Sequence, residues 1–184
     1  MQAANCAVRW ATEMDVATIL RMIKGLAEFE QCLVDVAITE EILERDLEAG
    51  LFECLLAERP SDCGRAPVCV GFALFCNRYS TTRGRCMYLQ DLFVTAEARG
   101  GGVGQLLIHA VAQVTVSRSC AALLWCALEW NAGAIAFYLS SRVGARERLA
   151  DADGTRFIDF VLDGDALEKL ARKRCGPPPD TRQM

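Results

Sequence analysis

A single mixed α/β domain with the element order βααβββαβαββα is what this sequence predicts, on three observations. Its 184 residues are 52% hydrophobic, enough to bury one sizeable core. Short apolar runs bounded by turn residues, the mark of buried strands, follow one another before the middle of the chain and read as antiparallel neighbours. Past the middle come a strand, a glycine loop, an amphipathic helix and another strand, a strand–helix–strand unit.

The elements follow in order. "CAVRWA" (6–11) alternates like a strand, and Thr12 with Asp15 forms a capping-box pattern. Val16, Ile19, Leu20, Ile23, Leu26 and Ala27 then share one face of a helix. A second helix starts at Thr39, with Glu40 and Glu41 at the positive end of its dipole. "LFECLLAE" (51–58) and "VCVGFALFC" (68–76) are buried strands on either side of a Pro/Ser/Asp/Gly turn region, and "MYLQDLFV" (87–94) is the next. After the glycine loop, Val103, Leu106, Leu107, Ala110, Val111 and Val114 mark the amphipathic helix. "ALLWCAL" (122–128) is a further buried strand, Asn131 caps a short helix through Leu139, and "TRFIDFVL" (155–162) is a late strand. A polar helix over about 165–174 closes the domain, taken as 1–174. "CGPPPDTRQM" (175–184) reads as an extended or disordered tail.

Composition narrows the function classes. A net charge of −4 with scattered charges argues against a dedicated nucleic-acid partner. No basic-then-apolar leader and no apolar run of spanning length support secretion or membrane insertion. The ten cysteines include no C-x-x-C pair, and His109 is the sole histidine, so no structural metal site is expected. Cysteines inside apolar runs act as small hydrophobes. Free thiols in this number suit a reducing compartment, the cytosol.

The stretch "FVTAEARGGGVG" (93–104) places four glycines among its last five residues, immediately before a helix. Unpaired N–H groups of a first helical turn attract an anion, and glycine removes the Cβ atoms that would hold it away. A P-loop needs G-K-[ST], but Gln105 and Leu106 follow Gly104. The dinucleotide pattern G-x-G-x-x-G is absent as well. Arg99, Gly102 and Gly104 instead match R-x-x-G-x-G.

That loop, together with "YLQDLFV", "EWN" and a later Tyr at matching spacing, resembles the acetyl-CoA-dependent N-acetyltransferase (GNAT) superfamily, in its diamine acetyltransferase branch. The similarity extends over roughly residues 6–172. It implies a GNAT-type mixed sheet whose pyrophosphate loop lies between the central strand and the helix that follows. It implies acetyl-CoA as co-substrate, no metal, a cytosolic homodimer, and direct attack of a small amine on the thioester. The backbone of Leu92, Phe93 and Val94 would hold the pantetheine arm and polarise the thioester carbonyl. Gly100, Gly101, Gly102, Val103, Gly104 and Gln105 would wrap the pyrophosphate. Arg99 would support the loop or its charge, and Asn131 would contact the cofactor arm. Tyr138 would protonate the departing thiolate as general acid.

Two departures concern the amine. Relatives carry Glu in Y-L-E-D, where this chain has Gln90, an amide that cannot serve as a base. Proton removal would then pass through water to Asp91, Glu129 or another carboxylate, or catalysis is slow, or the substrate differs. Polyamine-acetylating members carry an acidic residue and a Trp where this chain has Ser80 and Thr82. Ser80 and "LAEFE" are similar to the thialysine-acetylating branch, which favours a lysine-like amine over spermine. Glu28 and Glu30 are either amine contacts or solvated helix-end charges, with Glu30 the better placed. Trp125 either lines the acceptor channel or belongs to the core. A coenzyme A-binding protein without turnover and a spermidine/spermine acetyltransferase are the alternatives.

Overall fold

The computed structural model describes residues 6–61, 66–148 and 157–173. β1 (Ala7–Trp10) leads through a 3₁₀ turn (Glu13–Asp15) into α1 (Val16–Phe29). The Thr12 amide donates to Asp15 Oδ2 at 2.9 Å, so the predicted capping box is present. The Arg9 guanidinium donates to both Asp15 oxygens, at 2.7 and 2.8 Å, and to Glu58 at 2.6 Å. That cation holds the Asp15 carboxyl down to about 2 and ties β1 to the next strand.

α2 (Glu40–Glu48) begins at Thr39, whose hydroxyl accepts from the Ile42 amide at 3.4 Å. β2 (Glu53–Arg59), β3 (Val68–Ser80) and β4 (Gly84–Val94) follow, then α3 (Val103–Ser117), β5 (Ala122–Leu128) and α4 (Ala132–Leu139). β6 (Arg146–Arg148), β7 (Phe157–Asp163) and α5 (Gly164–Ala171) complete the described order, which is the predicted one. Two boundaries differ from expectation. β3 and β4 extend into a hairpin whose Asn77, Arg78 and Tyr79 are exposed, so no apolar run announced it. β6, which the sequence did not locate, is a three-residue edge strand, too short to show a period of two. The expected tail, 175–184, lies outside the described residues, as do Cys63 and Cys175.

The strands form one sheet in the order β1-β2-β3-β4-β5-β7-β6, antiparallel except for β4 beside β5. Consecutive strand residues face opposite sides. Leu55 and Leu56, each 0% exposed, therefore enter different cores. Leu55 joins Phe75, Met87, Leu107, Val111 and Phe160 beneath α3, α4 and α5, while Leu56 joins Phe72 and Leu74 beneath Ile19, Met22 and Leu43 of α1 and α2. The eight described cysteines are all free, and burial pushes the Cys54 and Cys69 thiols up. Among the described residues no cluster of metal-ligating side chains occurs, and no helix is long and apolar enough to cross a membrane.

Candidate active site

The site begins where two strands part. β4 and β5 pair in parallel only from Cys86–Ala122 to Tyr88–Leu124. Beyond Tyr88, β4 keeps β3 on one side, and no strand among the described residues lies beside it on the other. Its edge away from β3, running through Leu92, Phe93 and Val94, has no described strand to pair with and faces the opening.

A β-bulge sits on that edge. Leu74 faces Asp91 and Phe75 faces Leu89, leaving Gln90 as the extra residue. A bulge reverses the alternation downstream of it. Met87 and Leu89 pack beneath α3, and so do Leu92 and Val94, whereas Phe93 packs toward α1. The extra residue thus turns Asp91 and Phe93 to the α1 side. Gln90 itself is exposed. Two adjacent polar residues, Gln90 and Asp91, inside a buried strand were the sequence signal for this bulge.

After β4 the chain turns through Ala96–Ala98 into the glycine loop. Gly100 and Gly102 have φ of 76° and 86°, values that a Cβ atom opposes, and Gly102 is the N-cap of α3. Nothing lies within 4 Å of a Cβ built on Gly100, so the loop's outer side is open. Val103 anchors the first turn in the core, with Gly104 beside Val94 and Gln105 half-buried. The open loop fits a pyrophosphate: bare N–H groups at a helix N-terminus with no side chain in the way. Arg99 is exposed, yet its side chain lies along the protein surface. Its Nε donates to the Val94 carbonyl at 3.0 Å, and its guanidinium lies 4.5 Å over the Phe29 ring and 5.7 Å from that of Phe93. It supports the loop by bracing it against β4 and α1.

Phe29 in turn meets Trp130, ring centroids 5.6 Å apart. Phe93, Arg99, Phe29 and Trp130 therefore form a continuous stack from the β4 lip to the β5 lip of the opening. Gly25 makes room for it, since a Cβ there would lie 3.1 Å from the Phe93 ring. A cleft of about 780 Å³ flanks the stack between α1 and the end of β4, lined by Lys24, Glu28, Glu97 and Arg99 among others. Neither Phe29 nor Trp130 stood out in the sequence as a site residue. Each is a lone aromatic at the end of an element, and only the fold brings them together.

On the β5 side, the Asn131 side chain caps α4, accepting from the Ala134 amide at 3.1 Å. α4 carries Tyr138, 7% exposed, packed against Trp125 at 5.2 Å and Phe160 at 5.3 Å. The Tyr138 hydroxyl makes no hydrogen bond to any described residue. Burial raises its pKa, and Cys126 and Glu30 are near enough to add to the effect, so the phenol stays protonated. Trp125 is 2% exposed and stacks on Phe160; its link to the site runs through Tyr138. Cys126, half-buried on β5, has its Sγ 3.4 Å from the Tyr88 hydroxyl.

Glu30 follows the last turn of α1, half-buried, and burial raises its carboxyl. Asp91 is pushed up to about 6 by burial and by Glu30. Glu28 turns to the flanking cleft instead. Glu129 is exposed. Ser80 sits apart from this cluster. Its hydroxyl pairs with Thr82 at 3.1 Å in the β3–β4 hairpin, about 20 Å along the strand from Gln90 by strand rise.

Residues 22–144 match the model of the acetyltransferase (GNAT) family. The chain belongs to that family. The acetyltransferase is 38% identical over 170 residues to a thialysine N-epsilon-acetyltransferase of Bos taurus, covering 90% of this chain and 97% of the relative. It is 32% identical over 140 residues to a human spermidine/spermine N(1)-acetyltransferase-like protein 1, covering 72% of this chain and 20% of the relative. Among solved structures, the PaiA N-acetyltransferase of Thermoplasma acidophilum in complex with coenzyme A shares its fold at a TM-score of 0.66. That pair is 12% identical, with 87% of this chain and 99% of the other covered. The diamine acetyltransferase branch read from the sequence thus holds, and the chain is an acetyltransferase enzyme.

Proposed function

We propose that this acetyltransferase moves the acetyl group of acetyl-CoA onto the primary amine of a small lysine-like molecule, with thialysine or lysine ahead of a short diamine. The observation that carries the reading is Tyr138: a buried phenol with a free hydroxyl, set beside the gap where β4 and β5 part. In the proposed complex the β4 edge at Leu92, Phe93 and Val94 holds the thioester arm, and residues 100–105 hold the pyrophosphate. Acetyl-CoA supplies the activated acyl group. The amine attacks the carbonyl carbon, the C–S bond breaks, and Tyr138 O–H gives its proton to the departing sulfur.

The choice of acceptor rests on the name of the bovine relative and on Ser80 and Thr82, which add no negative charge or aromatic wall for a long polycation. Ser80 lies far from Gln90 along its own strand, so it reaches an acceptor only in an assembly of two chains. The proposed enzyme is accordingly a homodimer of a 1–174 domain with a 175–184 tail. Its free thiols suit the cytosol. A second reading, binding of coenzyme A without turnover, is favoured by Gln90 alone.

Free thiol release from acetyl-CoA, measured with thialysine, lysine, spermidine and short diamines, tests the proposal. Release is expected to be fastest with thialysine or lysine. Coenzyme A binding with no release for any amine establishes the non-catalytic reading, and spermidine as the best acceptor establishes the polyamine one.

A further inference from the structure

The amine must lose protons, and the residue at the motif's usual carboxylate position is an amide. The geometry around the bulge supplies a replacement. Inserting Gln90 into β4 turns Asp91 to the α1 side, where Glu30 arrives from the end of α1. Neither carboxylate forms an ion pair or a side-chain hydrogen bond with any described residue. Tyr138, buried on α4 and with its hydroxyl unpartnered among the described residues, also feels the Glu30 charge. Two carboxylates without a cation among the described residues, one of them also near the Tyr138 phenol, form an incomplete arrangement that an alkylammonium would complete.

We propose that Asp91 takes the proton from the acceptor ammonium, directly or through one water, and that Glu30 positions that ammonium and tunes Asp91. The inference rests on the amine-acetylating reading above. Of the two protons the ammonium sheds, the first goes to Asp91 and from there to solvent. The second, on the nitrogen of the tetrahedral adduct, replaces the proton that Tyr138 gives to the sulfur. The sum is one acetamide, one free thiol and one proton released. Gln90 is exposed at the bulge and orients the acceptor or a water without taking a proton.

The titratable groups that interact with Asp91 through charge are Glu30 at the end of α1, Cys54 on β2 and Cys126 on β5. The residue opposite it on β3, Leu74, is apolar. Burial and Glu30 both favour the protonated acid, which sets Asp91 at about 6. It is therefore mostly ionised at pH 7 and can accept a proton.

The experiment is the pH profile of kcat/KM for the full chain with its best acceptor, in wild type, Asp91→Asn and Glu30→Gln. Wild type is expected to lose activity on the acid side with a midpoint near 6. Asp91→Asn should cut kcat by about 10²-fold or more and abolish that limb. Its affinity for coenzyme A, measured by calorimetry, should stay at the wild-type value, which separates lost chemistry from lost folding. Glu30→Gln should move the limb to lower pH, because removing a negative neighbour favours ionised Asp91. Turnover by Asp91→Asn within about threefold of wild type, with the limb retained, overturns the assignment. So does a limb that Glu30→Gln leaves in place, a readout that survives if Asp91→Asn does not fold. Absence of wild-type turnover with every amine instead overturns the functional reading itself, before any variant is made.

Discussion

Tyr138, the acid of the proposed mechanism, is set in place by packing. Trp125 and Phe160 pack against its ring, and no described residue hydrogen-bonds its hydroxyl. Tyr138→Phe keeps the packing and removes the hydroxyl proposed to protonate the thiolate. Turnover should fall by about 10²-fold, with the Kd for coenzyme A unchanged. Stopped or steady-state thiol assays check this, and unchanged turnover would remove the acid role. The residue was legible in the sequence only through the resemblance, because Ala136, Phe137 and Tyr138 otherwise read as an apolar helix face. Asp91 was less legible still. Period-two counting assigns it to the wrong side of the sheet, and only the bulge at Gln90 corrects it.

At the scale of elements, the order was legible because each strand and helix carries its own period, cap or turn. Thr12, Thr39 and Asn131 each mark a helix start where the structure has one. β6 was not located, since Arg146–Arg148 are three polar edge residues whose pairing with β7 is decided elsewhere in the chain. Nor does sequence reveal where parallel strands cease to pair, yet that parting makes the opening. Gly71 guards its geometry from the other side of β4. A Cβ at this position would lie 2.9 Å from the Phe93 carbonyl oxygen and 3.3 Å from Leu107 and Val103. Gly71→Ala should therefore push the end of β4 away from β3. The expected cost is about 1–3 kcal/mol, or about 2–10 °C in Tm by calorimetry. Weaker coenzyme A binding should accompany it, and a Tm equal to wild type would contradict the close fit.

For the whole molecule, stability against acid turns on the groups whose pKa values the fold shifts, in the site and away from it. His109 lies on α3, 3% exposed, with both ring nitrogens shut off from solvent. Burial and the Lys173 ammonium hold its pKa down to about 4, against 6.5 when unfolded. The unfolded chain takes up the proton first, so stability is intact above 6.5 and falls as pH drops toward 4. Asp15, held at about 2 against 3.8, adds a loss below that window. Asp91 has the opposite sign: with its pKa raised to about 6, the fold gains stability as pH drops from about 6 toward 3.8. The difference in urea midpoint between wild type and His109→Leu isolates the imidazole. It should widen in favour of the variant as pH falls from 6.5 to 4, and a constant difference would refute the linkage. The aromatic stack across the opening has a consequence of another kind. Of the three tryptophans, Trp125 is buried, Trp10 is half-buried, and Trp130 is 53% exposed against Phe29 at the mouth. The molecule thus carries an intrinsic fluorophore at its entrance, whose emission reports the local polarity there without any label being attached.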